Sequence, residues 1–193
     1  EGQIGERLQL AIDELQRNTR EIQESVMSMR MLPINMTFNR FPRVVRDLST
    51  KLGKQVDLVI QGGNTEIDKS LIEKLVDPLT HLVRNSIDHG IETPEKRIAS
   101  GKSEKGTVIL SAEQKGSSII IGIIDDGAGL DKERILEKAS QNGLPVSSDM
   151  PDSEIWQLIF QAGFSTAEEV TDVSGRGVGM DVVRRNIESI GGR

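Results

Sequence analysis

This chain predicts an α+β architecture: one long helix with a coiled-coil seam, followed by helices gathered on one side of a short mixed sheet. Three observations carry the prediction. Apolar residues repeat at heptad spacing through the first thirty positions, short β-branched runs alternate with amphipathic stretches after them, and glycine or proline clusters separate the two kinds of segment. A length of 193 residues suits one domain plus an appendage. Hydrophobic residues make up 36% of the chain but aromatics only 3%, so aliphatic side chains must fill most of the core. There is no cysteine, which excludes disulfides and thiolate metal sites. A net charge of -6 argues against non-specific nucleic-acid binding. No apolar run reaches transmembrane length and no signal-peptide pattern opens the chain, so the expected address is the cytosol.

In the first helix Leu8, Leu15, Ile22 and Met29 fall seven apart, and Ile12, Thr19 and Val26 fill the alternate seam positions. Such a stripe either lies on its own domain or pairs in a bundle. Its narrowness, and the breakers that follow, favour the bundle, which requires a second helix or chain. Pro33 and Pro42 punctuate MLPINMTFNRFPR and predict a hinge. A short helix is expected over Pro42–Leu52 and a strand over Val56–Ile60. A helix should run from Asp68 to about His89, kinked or divided by Pro78. Two strands, Thr107–Glu113 and Ser118–Ile124, flank a Lys115-Gly116 hairpin turn. Helices follow near Lys132–Gln141, from Ser153 to Phe160 and from Met180 to Ile190, with a glycine-rich lid between Gln161 and Gly179.

Three motifs carry the chemistry: HLVRNSIDHGIE from His81 to Glu92, DDGAGL from Asp125 to Leu130, and GRGVGMD from Gly175 to Asp181. Asp77, His81, Asn85 and His89 recur every four residues and so share a helix face. On a helix otherwise rich in Leu, Val and Ile, that polar stripe is either a solvated face or a site, and the glycine motifs downstream favour a site. Asn85 offers a neutral oxygen suited to Mg²⁺, which takes oxygen ligands and keeps waters and phosphates. Asp88 is counted with the nucleotide-binding residues and is the first alternative ligand should the metal not sit on Asn85, and His89, one turn on, would approach the phosphates. A zinc pair of His81 and His89 is unattractive, because two turns separate them and no third ligand joins them. A carboxylate at the end of the Ser118–Ile124 strand can accept from the amino group of adenine, and Gly127 and Gly129 let backbone approach a flat base. Amides at the glycine-rich start of the last helix, around Gly175, Gly177, Gly179 and Met180, can cradle phosphates, although no Walker lysine follows. Arg134 and Lys132 either touch phosphate or line a solvated helix face.

These motifs, in this order and with QAGFST (Gln161 to Thr166) before the last, resemble the N, G1, F and G2 boxes of the histidine-kinase ATP-binding fold. MLPINMTFNRFPRVVRDL narrows the resemblance to the chemotaxis histidine kinases, the CheA family. The resemblance implies a Bergerat-type sandwich binding ATP and Mg²⁺, with residues 1–32 a dimerisation helix and 33–193 the catalytic domain. The chain stops at Gly191-Gly192-Arg193, where the closing strands would be expected. It assigns Asn85 to the metal, Asp125 rather than Asp126 to adenine, and Phe160, Phe164, Ser165 and Thr166 to a plug and hydroxyls that order the lid. The two phenylalanines serve equally well as ordinary core. Where many kinases and ATPases of this fold place a glutamate, four before the asparagine, stands His81. It acts either as the base for an incoming imidazole or as a support for Asn85.

The implied activity is ATP-dependent protein-histidine phosphorylation. The implied partners are a second copy of the chain, a His-bearing phosphoacceptor domain, response regulators, and a coupling protein with chemoreceptors in membrane arrays. Neither His81 nor His89 is the phosphorylated residue. An ATPase of the gyrase, chaperone or mismatch-repair kind, or a nucleotide-binding scaffold without activity, are the alternatives.

Overall fold

The computed structural model describes residues 2–28, 30–161, 164 and 179–193. Met29, Ser165, Thr166, Gly175 and Gly177 lie outside the described residues, as does the side chain of Val26. The elements are α1 (Gly2–Ser28), β1 (Met31–Pro33), α2 (Asn35–Phe38), α3 (Phe41–Leu52), β2 (Val56–Gln61), β3 (Glu66–Asp68) and α4 (Lys69–Asn85). A π-turn (Ser86–Gly90) continues α4, and α5 (Pro94–Ala99), β4 (Gly106–Lys115) and β5 (Ser118–Asp125) follow. The rest is α6 (Lys132–Gln141), α7 (Asp152–Gln157) with a 3₁₀ turn over Leu158–Phe160, and α8 (Met180–Ser189).

The sheet is mixed, in the order β2-β4-β5, with β2 parallel and β5 antiparallel to β4. Gly116 in the left-handed region closes the β4–β5 hairpin. Helices α2, α3 and α4 cover one face. Their buried Phe38, Phe41, Val45, Leu75 and Val83 meet Val108 and Leu110 of β4 in a single core. A second, smaller cluster joins Ile135 and Ala139 of α6, Ile155 of α7 and Phe164. Among the described residues no helix is long and apolar enough to cross a membrane.

The long first helix forms as expected, and its described seam residues up to Ile22 are all exposed. Leu8, Leu15 and Ile22 are 62%, 67% and 64% exposed. The polar seam residue, Thr19, returns its hydroxyl to the Leu15 carbonyl at 2.8 Å.

Two expectations need correction. Met31 to Pro42 is not a hinge. Met31–Pro33 pairs antiparallel with Glu66–Asp68, Ile34 N donates to Thr65 O and Asn35 N to Gly63 O, and Ile34, Phe38 and Phe41 are fully buried. The prolines mark element boundaries instead. Pro33 ends a strand in a two-stranded pair, and Pro42 stands in the first turn of α3, where a helix has no bond for its missing N–H to make. Nor does Pro78 divide α4, which runs unbroken through it. Proline removes one helix bond, but Leu75, Pro78 and Leu79 are all buried on the core side, and that packing holds the helix together.

Candidate functional site

Two structural ends meet at the site: the C-terminus of α4 with its π-turn, and the loop that leaves β5. Asp68 caps α4 by accepting from Ser70 N and Oγ at 2.8 Å, and that bond holds its carboxyl below the usual carboxylate range. Buried Ile72, Leu75, Leu79, Val83 and Ile87 fix the rotation of α4, turning His81 and Asn85 toward an open groove of about 2160 Å³. His89, Gly90, Asp125, Gly129, Arg134, Gly179 and Met180 also line it. Nucleotide-sized sites are roughly 300–1,000 Å³. The groove is also lined by Leu71, Leu75 and Leu79 of α4 and by Ile119, Ile121 and Ile123 of β5.

His81 is half-buried. Desolvation, reinforced by the nearby charges of Arg84 and His89, holds its imidazole below the usual histidine range. Asn85 directs its amide nitrogen at the Met180 sulfur, 3.4 Å away, so the start of α8 lies against the end of α4. The widened turn after Asn85 closes with Ile91 N donating to Ser86 O at 2.8 Å. It leaves the Ile87 and Asp88 carbonyls to Lys54, whose ammonium donates to them at 2.7 and 2.6 Å. Burial pushes the Lys54 ammonium below the ordinary lysine range, against the pull of Asp88. The turn interrupts the four-residue repeat, so His89 stands exposed beside Asp88, with Nε2 3.6 Å from Oδ2. A π-turn inside a helix is a frequent device at functional sites.

Asp125 ends β5 opposite Val108. Its Oδ1 accepts from Gly127 N at 3.0 Å. Asp126 faces elsewhere: its carboxylate accepts from Thr107 N at 2.8 Å and from Arg97 at 3.1 Å. Of the two aspartates, Asp125 is thus the one on the groove. Within the protein itself, close backbone packing already requires a glycine at position 127. A Cβ on Gly127 would fall 2.1 Å from the Gly90 carbonyl oxygen, which also accepts from Ala128 N at 2.9 Å. A Cβ on Gly90 would stand 3.1 Å from Asp125 Oδ1. Gly90 was not singled out from the sequence. Its place at the end of HLVRNSIDHG, where a helix must meet a strand-end loop, was the available signal.

Gly129 takes the left-handed conformation and Gly179 caps α8. Arg134 is exposed in the first turn of α6, its backbone N–H donating to Asp131, while Lys132 pairs with Asp152 at 3.0 Å. Phe164 is buried in the smaller core, and Phe160 lies under the Arg184 guanidinium at 5.5 Å. The groove therefore gathers His81, Asn85, His89, Asp125, Gly129, Arg134, Gly179 and Met180 in one place. Ser165, Thr166, Gly175 and Gly177, as noted, are not among the described residues.

Over 182 residues the chain is 63% identical to Chemotaxis protein CheA of Klebsiella aerogenes, covering 94% of this chain and 28% of that protein. It is 50% identical over 187 residues to Chemotaxis protein CheA of Rhizobium meliloti (96% and 25%), and 50% identical over 190 residues to Sensor histidine kinase CheAY of Helicobacter pylori (97% and 24%). The chain thus spans about a quarter of the length of these relatives. Residues 73–193, which include the His81–Glu92, Asp125–Leu130, Gln161–Thr166 and Gly175–Asp181 motifs, match the model of one family, and the chain belongs to it: the histidine kinase-, DNA gyrase B- and HSP90-like ATPases.

Proposed function

We propose that the chain is the ATP-binding catalytic part of a chemotaxis protein-histidine kinase, transferring the γ-phosphoryl of ATP to a histidine on a separate domain. The observation that carries this reading is a half-buried imidazole, biased toward its neutral form, one turn before Asn85 and on the same groove as Asp125. An imidazole held neutral accepts a proton at physiological pH. Among the described residues no hydrogen bond joins His81 to Asn85, which favours a role for His81 toward the substrate over one as a prop.

In this mechanism Asp125 accepts from the adenine amino group, and the loop from Gly127 to Gly129 lies along the base. Amides around Gly175–Met180, with Arg134 and His89, face the phosphates, and Ser165 and Thr166 order the lid. The incoming imidazole nitrogen forms a bond to the γ-phosphorus as the bond to the ADP oxygen breaks, and His81 takes up the proton that the nucleophile loses. Most of the acceleration comes from positioning and electrostatics. The donor set fits Mg²⁺. With its nitrogen turned to Met180, Asn85 presents its oxygen to a cation. Bound there, the cation would neutralise charge on the phosphates.

A phosphotransfer assay with a separate His-bearing domain, run against hydrolysis without it, tests the reading. Transfer should far exceed hydrolysis. His81→Ala should lower kcat by roughly 10²–10⁴ at saturating ATP without changing ATP affinity. Because the folded pKa of His81 lies below the reference value of 6.5, the neutral form persists as pH falls through 6.5. The acid limb of the kcat profile should therefore lie below that value and vanish in His81→Ala. Full transfer by that variant would return His81 to a supporting role and leave a nucleotide-binding scaffold as the better reading.

The exposed seam supports a homodimer through α1, with the protein at work in the cytoplasm beside membrane chemoreceptor arrays, coupled to receptors and passing phosphoryl groups to response regulators. Leu15→Asp should dissociate that dimer, since an unpaired charge in a bundle core costs several kcal/mol, roughly 3–5 when buried. Nucleotide binding should be untouched, because side chains 3–22 are all exposed and take no part in the catalytic core. Sedimentation showing an unaltered dimer would place dimerisation elsewhere.

A further inference from the structure

Glu92 closes the HLVRNSIDHGIE motif, yet it does not line the groove. It faces a polar cluster behind the loop that carries Asp125. Arg97 is the centre of that cluster and is only 1% exposed. Its guanidinium donates to Ser103 O at 2.7 Å, to Glu92 Oε1 at 3.1 Å, to the Asp126 carbonyl at 3.2 Å and to the Asp126 carboxylate at 3.1 Å. Lys102 completes it, donating to Glu92 Oε2 at 2.9 Å and to the carbonyls of Asp126 and Gly127 at 3.1 and 2.9 Å.

Local chain geometry delivers Lys102 to this place. α5 ends at Ala99, and Gly101, at φ +83, turns the backbone so that Lys102 N donates to Arg97 O at 2.8 Å. A side chain on that left-handed residue would be strained, and the lysine would lose its approach. The hydrogen bond from Lys102 in turn holds the Glu92 carboxyl below the usual carboxylate range.

Four of these bonds end on the Asp126–Gly127 segment, which immediately follows Asp125 and supplies the N–H that Asp125 Oδ1 accepts. The cluster grips the two peptides that aim that carboxylate. We infer that Glu92, Arg97 and Lys102 are positioning residues for base selectivity, holding the loop after β5 in the register that lets Asp125 discriminate adenine from guanine. The inference rests on the adenine reading proposed above.

Lys102 is the position to change, because it is 35% exposed and its loss leaves Arg97 paired, whereas Arg97 is only 1% exposed and its removal would empty buried space and break four bonds at once. ATP and GTP affinities of the intact protein are measured by calorimetry for the parent, Lys102→Met and Lys102→Arg, beside their thermal midpoints. Lys102→Met should lower the ATP-over-GTP preference about tenfold, as expected for losing charge-assisted bonds that act on ATP binding alone. Lys102→Arg should restore most of it. In an Asp125→Asn background Lys102→Met should change the preference little, since the group it positions is gone. A preference unchanged in Lys102→Met, or both nucleotides weakened equally, would overturn the inference and leave the cluster a purely structural clasp. Equal ATP and GTP affinity in the parent would instead overturn the adenine reading, and the inference with it.

Discussion

Asp125→Asn is expected to weaken ATP binding by about tenfold to a hundredfold, corresponding to the roughly 1.5–3 kcal/mol of a hydrogen bond to a charged group. One carboxylate oxygen is already engaged: Oδ1 accepts from Gly127 N at 3.0 Å. The other is the acceptor available to the adenine amino group. An asparagine of the same shape cannot serve both donors. If its oxygen keeps the Gly127 amide, its NH₂ meets the adenine NH₂, donor against donor; if it turns around, the loop amide is left facing an NH₂. Either orientation loses an acceptor, while the volume beside Gly90 is unchanged. The fold should therefore survive, and the thermal midpoint should move little compared with the affinity. Calorimetric titration of parent and variant with ATP and GTP measures the effect. Indifference of the parent to the base would remove Asp125 from base recognition.

How much of this was legible in the sequence follows from the range of the interactions involved. Strands β2, β4 and β5 and helices α3, α6 and α8 were readable because period and turn chemistry are local, and the four-residue repeat placed His81 and Asn85 on the groove for the same reason. The segment from Met31 to Pro42 was misread because its burial is not local. Ile34 and Phe38 pack against elements thirty and more residues away, and Thr37 donates its hydroxyl to Ile72 O at 2.8 Å. Proline announces a boundary, and only tertiary contacts tell whether that boundary bends freely. The π-turn had no sequence sign at all, since it is held by Lys54 from the distant turn between α3 and β2. The reason for Gly127 was likewise hidden: a GxG pattern shows that space is needed, not that the Gly90 carbonyl fills it.

Asn85→Ala is expected to abolish the Mg²⁺ dependence of triphosphate binding and to reduce phosphotransfer by on the order of a hundredfold or more, the scale of removing a preorganised group that acts on transition-state charge. Among the described residues no group of three or more His, Asp or Glu forms a metal cage. On the proposed reading Asn85 gives the cation one neutral oxygen and water and the nucleotide supply the others, so losing that oxygen should release or move the ion. The contact between Asn85 Nδ2 and Met180 is to a thioether, a weak acceptor. Its loss should cost little stability, which leaves the metal effect as the principal signal. Calorimetry on the alanine variant with and without Mg²⁺ makes the comparison, and Asn85→Asp refines it. An added carboxylate retains oxygens for the cation but sets a negative charge against the phosphates, so it should bind metal without restoring transfer. If the alanine variant shows the parent's full metal effect, the ligand lies elsewhere. Asp88 is then the first residue to change: it is one turn of the widened helix away, and its backbone is already fixed by Lys54.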